Sequence, residues 1–233
     1  MANSICILGD SVARGVVLDS TAGKYVLLKD CFANRLKKDT GLEVKNLARF
    51  GSTVTKGAEI LEKHADTLKN YDRVFLEFGG NDCDYDWAKI AADPDADYQP
   101  NTPLGVFVQK YTQMIREIRT CGSSPVLLSL PPIVGSRYFA WISRGLKAEN
   151  ILRWLGGDKD YIARWHEMYN LAVFRMAAET NTPVIDITSP FLEAIHYENL
   201  LCGDGIHPSA LGHAQIFQTI DHAVRQHRRA CAS

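Results

Sequence analysis

Ser4-Ile5-Cys6-Ile7-Leu8-Gly9-Asp10-Ser11 is the stretch on which the reading of the whole chain turns. Four apolar residues in succession, with no polar residue alternating between them, describe a strand buried on both faces. Gly9-Asp10-Ser11 then ends the run with turn chemistry. Such a strand needs helices above and below it, and the pattern recurs. Short Val/Ile/Leu-rich runs stand at 42–47, 73–78, 125–130 and 183–187. Amphipathic stretches separate them at 25–38, 54–70, 103–121, 159–179 and 209–228. Thr102-Pro103 and Pro208-Ser209 supply helix-start signals. Five strands alternating with helices predict a three-layer α/β/α sandwich around a five-stranded parallel sheet, joined by right-handed crossovers.

The 233 residues, 46% of them hydrophobic, suffice for one sizeable core. No repeat, low-complexity tract or Pro/Gly/Ser linker divides them, so a single domain over 1–233 is expected. A net charge of -1 argues against a nucleic-acid partner. The basic tail Arg225, His227, Arg228, Arg229 reads as the solvated end of the last helix. No apolar run reaches membrane-spanning length, and the N-terminus lacks the pattern of a signal peptide. Six cysteines without a C-x-x-C pair read as free thiols, which points to a cytoplasmic protein.

Two segments exceed the minimal strand–helix rhythm, 84–101 after the third strand and 133–158 after the fourth. Both follow carboxyl ends of strands, where open α/β sheets bind ligands. All four tryptophans, Trp87, Trp141, Trp154 and Trp165, lie in or beside them. Exposed tryptophans in the second segment would suit a homodimer.

Ser11, at a strand-to-helix turn, presents a hydroxyl at the carboxyl edge of the sheet. Gly-Asp-Ser alone reads equally well as a turn and helix cap. A hydroxyl nucleophile requires a base, and the base requires an acceptor that fixes its tautomer. Among seven histidines, His207 has an aspartate three residues before it, in Asp204-Gly205-Ile206-His207-Pro208. Glu193 and His196 share that interval, but they read as a surface pair on a helical turn. Phe78-Gly79-Gly80-Asn81-Asp82 ends the third strand, and the Asn81 amide is a candidate donor to a developing oxyanion. Gly51, after the second strand, is a candidate second donor through its backbone N–H, or only a loop glycine. Asp10 and Asp82 read first as hydrogen-bonding scaffold, and Cys83 as a packed thiol. No histidine pair has metal-ligand spacing, so neither metal nor cofactor is expected.

In this order the blocks resemble the SGNH hydrolases, also called GDSL esterases/lipases: Gly9-Asp10-Ser11, Gly51, Gly79-Gly80-Asn81-Asp82 and Asp204-x-x-His207. Together they span nearly the whole chain. The resemblance implies a three-layer α/β/α fold and a metal-free mechanism with Ser11, His207 and Asp204. It also implies an oxyanion hole from the Ser11 N–H, the Gly51 N–H and the Asn81 side chain. Val12 replaces the family's usual leucine, and the insertion after Pro131-Pro132 is long. No G-x-S-x-G elbow is present, which sets the chain apart from the larger α/β-hydrolases.

Aromatics of the insertions, Tyr85, Trp87 and Trp141 among them, are candidates for stacking on sugar faces or lining an acyl pocket, with Asp10 beside the site. Packing of the insertions onto the body accounts for them equally well. Without a long apolar lid, the leading expectation is hydrolysis of short-chain esters, above all O-acetyl groups on a carbohydrate. The alternatives are a lysophospholipase or thioesterase, an acyltransferase with the same residues, and a non-catalytic carbohydrate-binding protein.

Overall fold

The computed structural model describes residues 4–230, with side chains through residue 226. The described elements are β1 Ser4–Gly9, α1 Ser11–Arg14, β2 Val16–Asp19, β3 Lys24–Leu27, α2 Phe32–Thr40, β4 Glu43–Asn46, α3 Val54–Leu68 and β5 Arg73–Glu77. They continue with α4 Trp87–Ala92, α5 Leu104–Thr120, β6 Ser124–Leu128, α6 Gly135–Ile142, α7 Ala148–Trp154, α8 Tyr161–Glu179, β7 Val184–Ile185, α9 Ser189–Leu192 and α10 Ala210–Ala230.

The central sheet runs β4-β1-β5-β6-β7, every neighbouring pair parallel. All six residues of β1 are buried. Alternate side chains serve opposite layers. Cys6 and Leu8 meet α3, α5 and α8, while Ile5 and Ile7 meet α2 and α10. Each such aliphatic side chain contributes roughly 1.5–3 kcal/mol by leaving water. The helices bury matching stripes. On α5 these are Phe107, Tyr111, Met114, Ile115 and Ile118, at the i, i+4, i+7, i+8, i+11 spacing of one helical face. The edge strands β4 and β7 are shorter and only partly buried, which trims the expected runs 42–47 and 183–187.

One expected element is different. The helix expected over 25–38 is divided: Lys24–Leu27 is a strand, and the helix begins only at Phe32. β2 and β3 pair antiparallel, from Val16↔Leu27 to Asp19↔Lys24. β-Branched Val16, Val17 and Val26 favour this pleated pairing. Asp19 Oδ1 accepts the Thr21 and Ala22 N–H groups at 2.9 and 3.0 Å, which closes the turn.

The insertions are structured and share a core of their own. Trp87 and Ile90 on α4 pack with Tyr138 and Phe139 on α6, Ile151 on α7 and Ile162 on α8. This third cluster rises above the carboxyl edge of the sheet. Among the described residues, five cysteines are unpaired, and no helix is long and apolar enough to cross a membrane. Cys231 and the side chains of His227, Arg228 and Arg229 lie outside the described residues; Arg225 pairs with Asp221 along α10 at 2.7 Å.

Candidate active site

β1 lies between β4 and β5, so the chain's direction of growth reverses around it, and a crevice opens at its carboxyl end. Ser11 stands there as the first residue of α1. Asp10 caps that helix, its Oδ1 accepting the Val12 N–H at 2.8 Å. A Cβ on Gly9 would stand 2.7 Å from the Ala13 Cβ and 2.9 Å from the Glu77 carbonyl oxygen, so only glycine allows α1 to fold back so closely.

Although 196 residues separate them in sequence, His207 Nε2 stands 2.9 Å from Ser11 Oγ. His207 Nδ1 stands 2.7 Å from Asp204 Oδ2. Asp204 Oδ1 accepts the Ile206 and His207 N–H groups at 3.1 and 3.2 Å. All three side chains are buried, and Asp204 has no exposed surface. Burial alone would raise the Asp204 carboxyl. The hydrogen bond and charge of His207, with the two backbone N–H groups, outweigh it and hold the group below its ordinary value. A fixed carboxylate, an oriented imidazole and a hydroxyl in line can move a proton off the hydroxyl.

The candidate oxyanion donors are arranged differently from one another. Asn81 Nδ2 donates to Asp10 Oδ2 at 2.9 Å, which aims the amide and leaves its second proton free. Its position depends on Gly79, where φ is +145° and a Cβ would stand 2.6 Å from Leu130 Cδ1. Gly51 has φ +68° in a turn that Ser52 N–H closes to Arg49 at 3.3 Å, and Arg49 N–H is tied to Gly9 of β1 at 3.1 Å. Among the described residues neither the Ser11 nor the Gly51 N–H has a hydrogen-bond partner. Gly51 is also not part of the cavity wall, which its neighbour Phe50 joins.

That cavity, of about 260 Å³, is lined by Ser11, His207, Asn81 and Asp10 together with the insertion aromatics Tyr85, Trp87 and Trp141. Trp141 and Trp154 are half-buried residues of this wall. Asp82 accepts the Val54 N–H at 3.0 and 3.1 Å and pins the start of α3; burial, opposed by its hydrogen bonds, lifts its carboxyl to about 6. Cys83 is buried, which pushes its thiol well up and leaves it unreactive. His196 pairs with Glu198 at 3.4 Å and not with Glu193. Among the described residues no three His, Cys, Asp or Glu side chains gather as metal ligands.

Several site residues have no signature in the sequence. Glu77, the last residue of β5, is buried against Asp10, and its Oε2 accepts the Ala13 N–H at 3.2 Å. Burial, then the Asp10 charge, raise its carboxyl well above the ordinary range, the direction that favours a proton held between Glu77 and Asp10. Nothing in Arg73-Val74-Phe75-Leu76-Glu77, charged at both ends, sets this carboxylate apart from an ordinary strand end. Tyr25, on the β2–β3 hairpin, meets His207 in an edge-on arrangement with ring centroids 4.8 Å apart, and Phe50 lies parallel to the same imidazole with centroids 6.3 Å apart. His166, from α8, also faces the cavity.

Fold and site together define the SGNH class of α/β/α hydrolases. Residues 7–215 match the GDSL-like lipase/acylhydrolase family, and the chain belongs to that family of esterases and acylhydrolases. Solved structures share the fold at low identity. A lipase/acylhydrolase from Enterococcus faecalis matches with TM-score 0.67 and 20% identity, over 96% of either chain. An acetylxylan esterase from Geobacillus stearothermophilus gives TM-score 0.64 and 18% identity over 94% of this chain and 92% of that one. A GDSL-like lipase from Bacteroides thetaiotaomicron gives 0.61 and 13%, over 96% and 88%. At the level of sequence no curated protein matches this chain.

Proposed function

We propose that the protein is a serine esterase removing short acyl groups, foremost O-acetyl groups on a carbohydrate, through an acyl-enzyme on Ser11. The observation that carries this reading is the line from Asp204 through His207 to Ser11 Oγ, at 2.7 and 2.9 Å, opening into the aromatic cavity.

In this mechanism His207 takes the Ser11 proton as Oγ attacks the ester carbonyl. The oxyanion is received by the Ser11 and Gly51 N–H groups and the free proton of Asn81. His207 then returns the proton to the leaving alcohol, and water repeats the cycle on the acyl-enzyme. Asp204 stabilises the imidazolium formed in each half. A cavity of about 260 Å³ is smaller than the roughly 300–1,000 Å³ of sites for drug-sized ligands, which supports a small substrate over a long acyl chain. An acetylxylan esterase shares the fold, and aromatic rings around the cavity suit a sugar face.

The test is hydrolysis of p-nitrophenyl esters from acetate to palmitate, beside Ser11→Ala. Expected is activity on the short esters that falls by several orders of magnitude in the variant. A maximum at long chains would redirect the substrate to lipids or thioesters, faster transfer to an added alcohol than to water would make it an acyltransferase, and turnover retained by Ser11→Ala would overturn the mechanism.

A further inference from the structure

His166 is buried to 5% exposure yet lies in the wall of the cavity that contains Ser11. Among the described residues its ring nitrogens have no hydrogen-bond partner. They are also absent from the buried atoms sealed away from solvent without a partner, unlike those of His213. The ring therefore presents its polar atoms to the cavity. Burial pushes it down to about 4, so it is a neutral imidazole, one nitrogen donating and the other accepting.

Its position is set by the helix beneath it. One turn further along α8, Asn170 accepts the Leu130 N–H at 2.8 Å and donates to Thr188 Oγ1 at 3.1 Å. Next to it, Trp165 Nε1 donates to the Cys83 carbonyl at 3.0 Å. A second polar group in the same wall is equally fixed: Asp84 Oδ1 accepts Trp87 Nε1 at 2.8 Å. The rings of Trp154 and Trp165 line the same cavity, each packed against Tyr85.

We infer that His166 and Asp84 form a polar subsite for the hydroxyls of a sugar ring, with the ring stacked on the neighbouring aromatics and its acetyl group directed to Ser11. The inference rests on the esterase reading and specifies which part of the substrate fills the chamber. An acetyl methyl is too small to fill a space of about 260 Å³, which leaves it to the alcohol portion. An alkyl chain there would strip water from the ring nitrogens of His166, which have no partner in the protein, and return no hydrogen bond, a penalty that weakens binding roughly tenfold or more. A hydroxylated ring satisfies both and still offers C–H faces to the aromatics.

The test compares kcat/KM on mono-acetylated methyl glycosides of xylose, glucose and galactose with kcat/KM on p-nitrophenyl acetate. In His166→Phe the ratio for the best glycoside should fall about tenfold, and His166→Gln, which retains a donor and an acceptor, should recover most of it. An unchanged ratio in His166→Phe overturns the subsite, whereas loss of all Ser11-dependent hydrolysis of p-nitrophenyl acetate in the unaltered protein would overturn the esterase reading instead. A measurement free of variants guards against misfolding. The unesterified methyl glycosides should inhibit p-nitrophenyl acetate hydrolysis at least tenfold better than cyclohexanol, and equal inhibition, or none by any glycoside, counts against the proposal.

Discussion

Glu77→Gln separates the buried carboxyl pair from everything else at the site. Glu77 lies against Asp10 beneath α1, with 1% exposure, accepting the Ala13 N–H. Its carboxyl is raised well above the ordinary 4.5, first by burial and then by the Asp10 charge. In the unfolded chain the group ionises near that ordinary value; in the native protein it still carries its proton. Between those two pH values the native state binds one proton more, so stability falls as pH rises, by about 1.4 kcal/mol per pH unit for one proton. The contribution is complete below the unfolded value and lost as pH climbs toward the folded one. Glutamine mimics the protonated acid, its amide donating to Asp10 and its oxygen accepting from Ala13, and carries no such dependence. Urea unfolding of both proteins from pH 5 to 8 should therefore show the variant gaining on the native chain by about 1.4 kcal/mol per pH unit until Glu77 ionises. For a chain of this length that is roughly 3–6 °C in Tm per pH unit. Parallel stability curves across that range would refute the protonated pair.

Asn81→Ala should lower kcat by roughly 10²–10³ with little change in KM, measured on p-nitrophenyl acetate, because the amide is needed only once charge develops on the carbonyl oxygen. Asp204→Asn should lower kcat by about 10⁴, since an amide presents the wrong partner to His207 Nδ1; a fall below tenfold would remove Asp204 from the reaction. Gly79→Ala should lower the unfolding midpoint, because φ is +145° and the new Cβ would stand 2.6 Å from Leu130, and the same change should depress turnover by shifting Asn81.

Much of this molecule is readable in its sequence because the informative residues interact locally. Ile5 to Leu8 are apolar on both faces because β1 is central, and a central strand leaves an uninterrupted run. Ser11, Asn81 and His207 each follow a local signal: a strand end, a glycine pair, or an aspartate three residues earlier. The hairpin Val16–Leu27 was hidden because Tyr25 to Lys38 carries a helical spacing, and Cys31, which caps the true helix, offers no side-chain hydrogen bond to mark its start. Glu77, Tyr25 and His166 matter only through what the fold places against them. No window of sequence around His166 distinguishes a histidine in a cavity wall from one packed in a core such as His213.

The 196-residue separation between Ser11 and His207 makes their contact a report on the whole sheet. Ser11 follows β1 and His207 follows β7, so the 2.9 Å between them is reached only with the strands that lie between in place. In the proposed mechanism, a chain whose segment after β7 has not docked beside β1 holds a serine without its base.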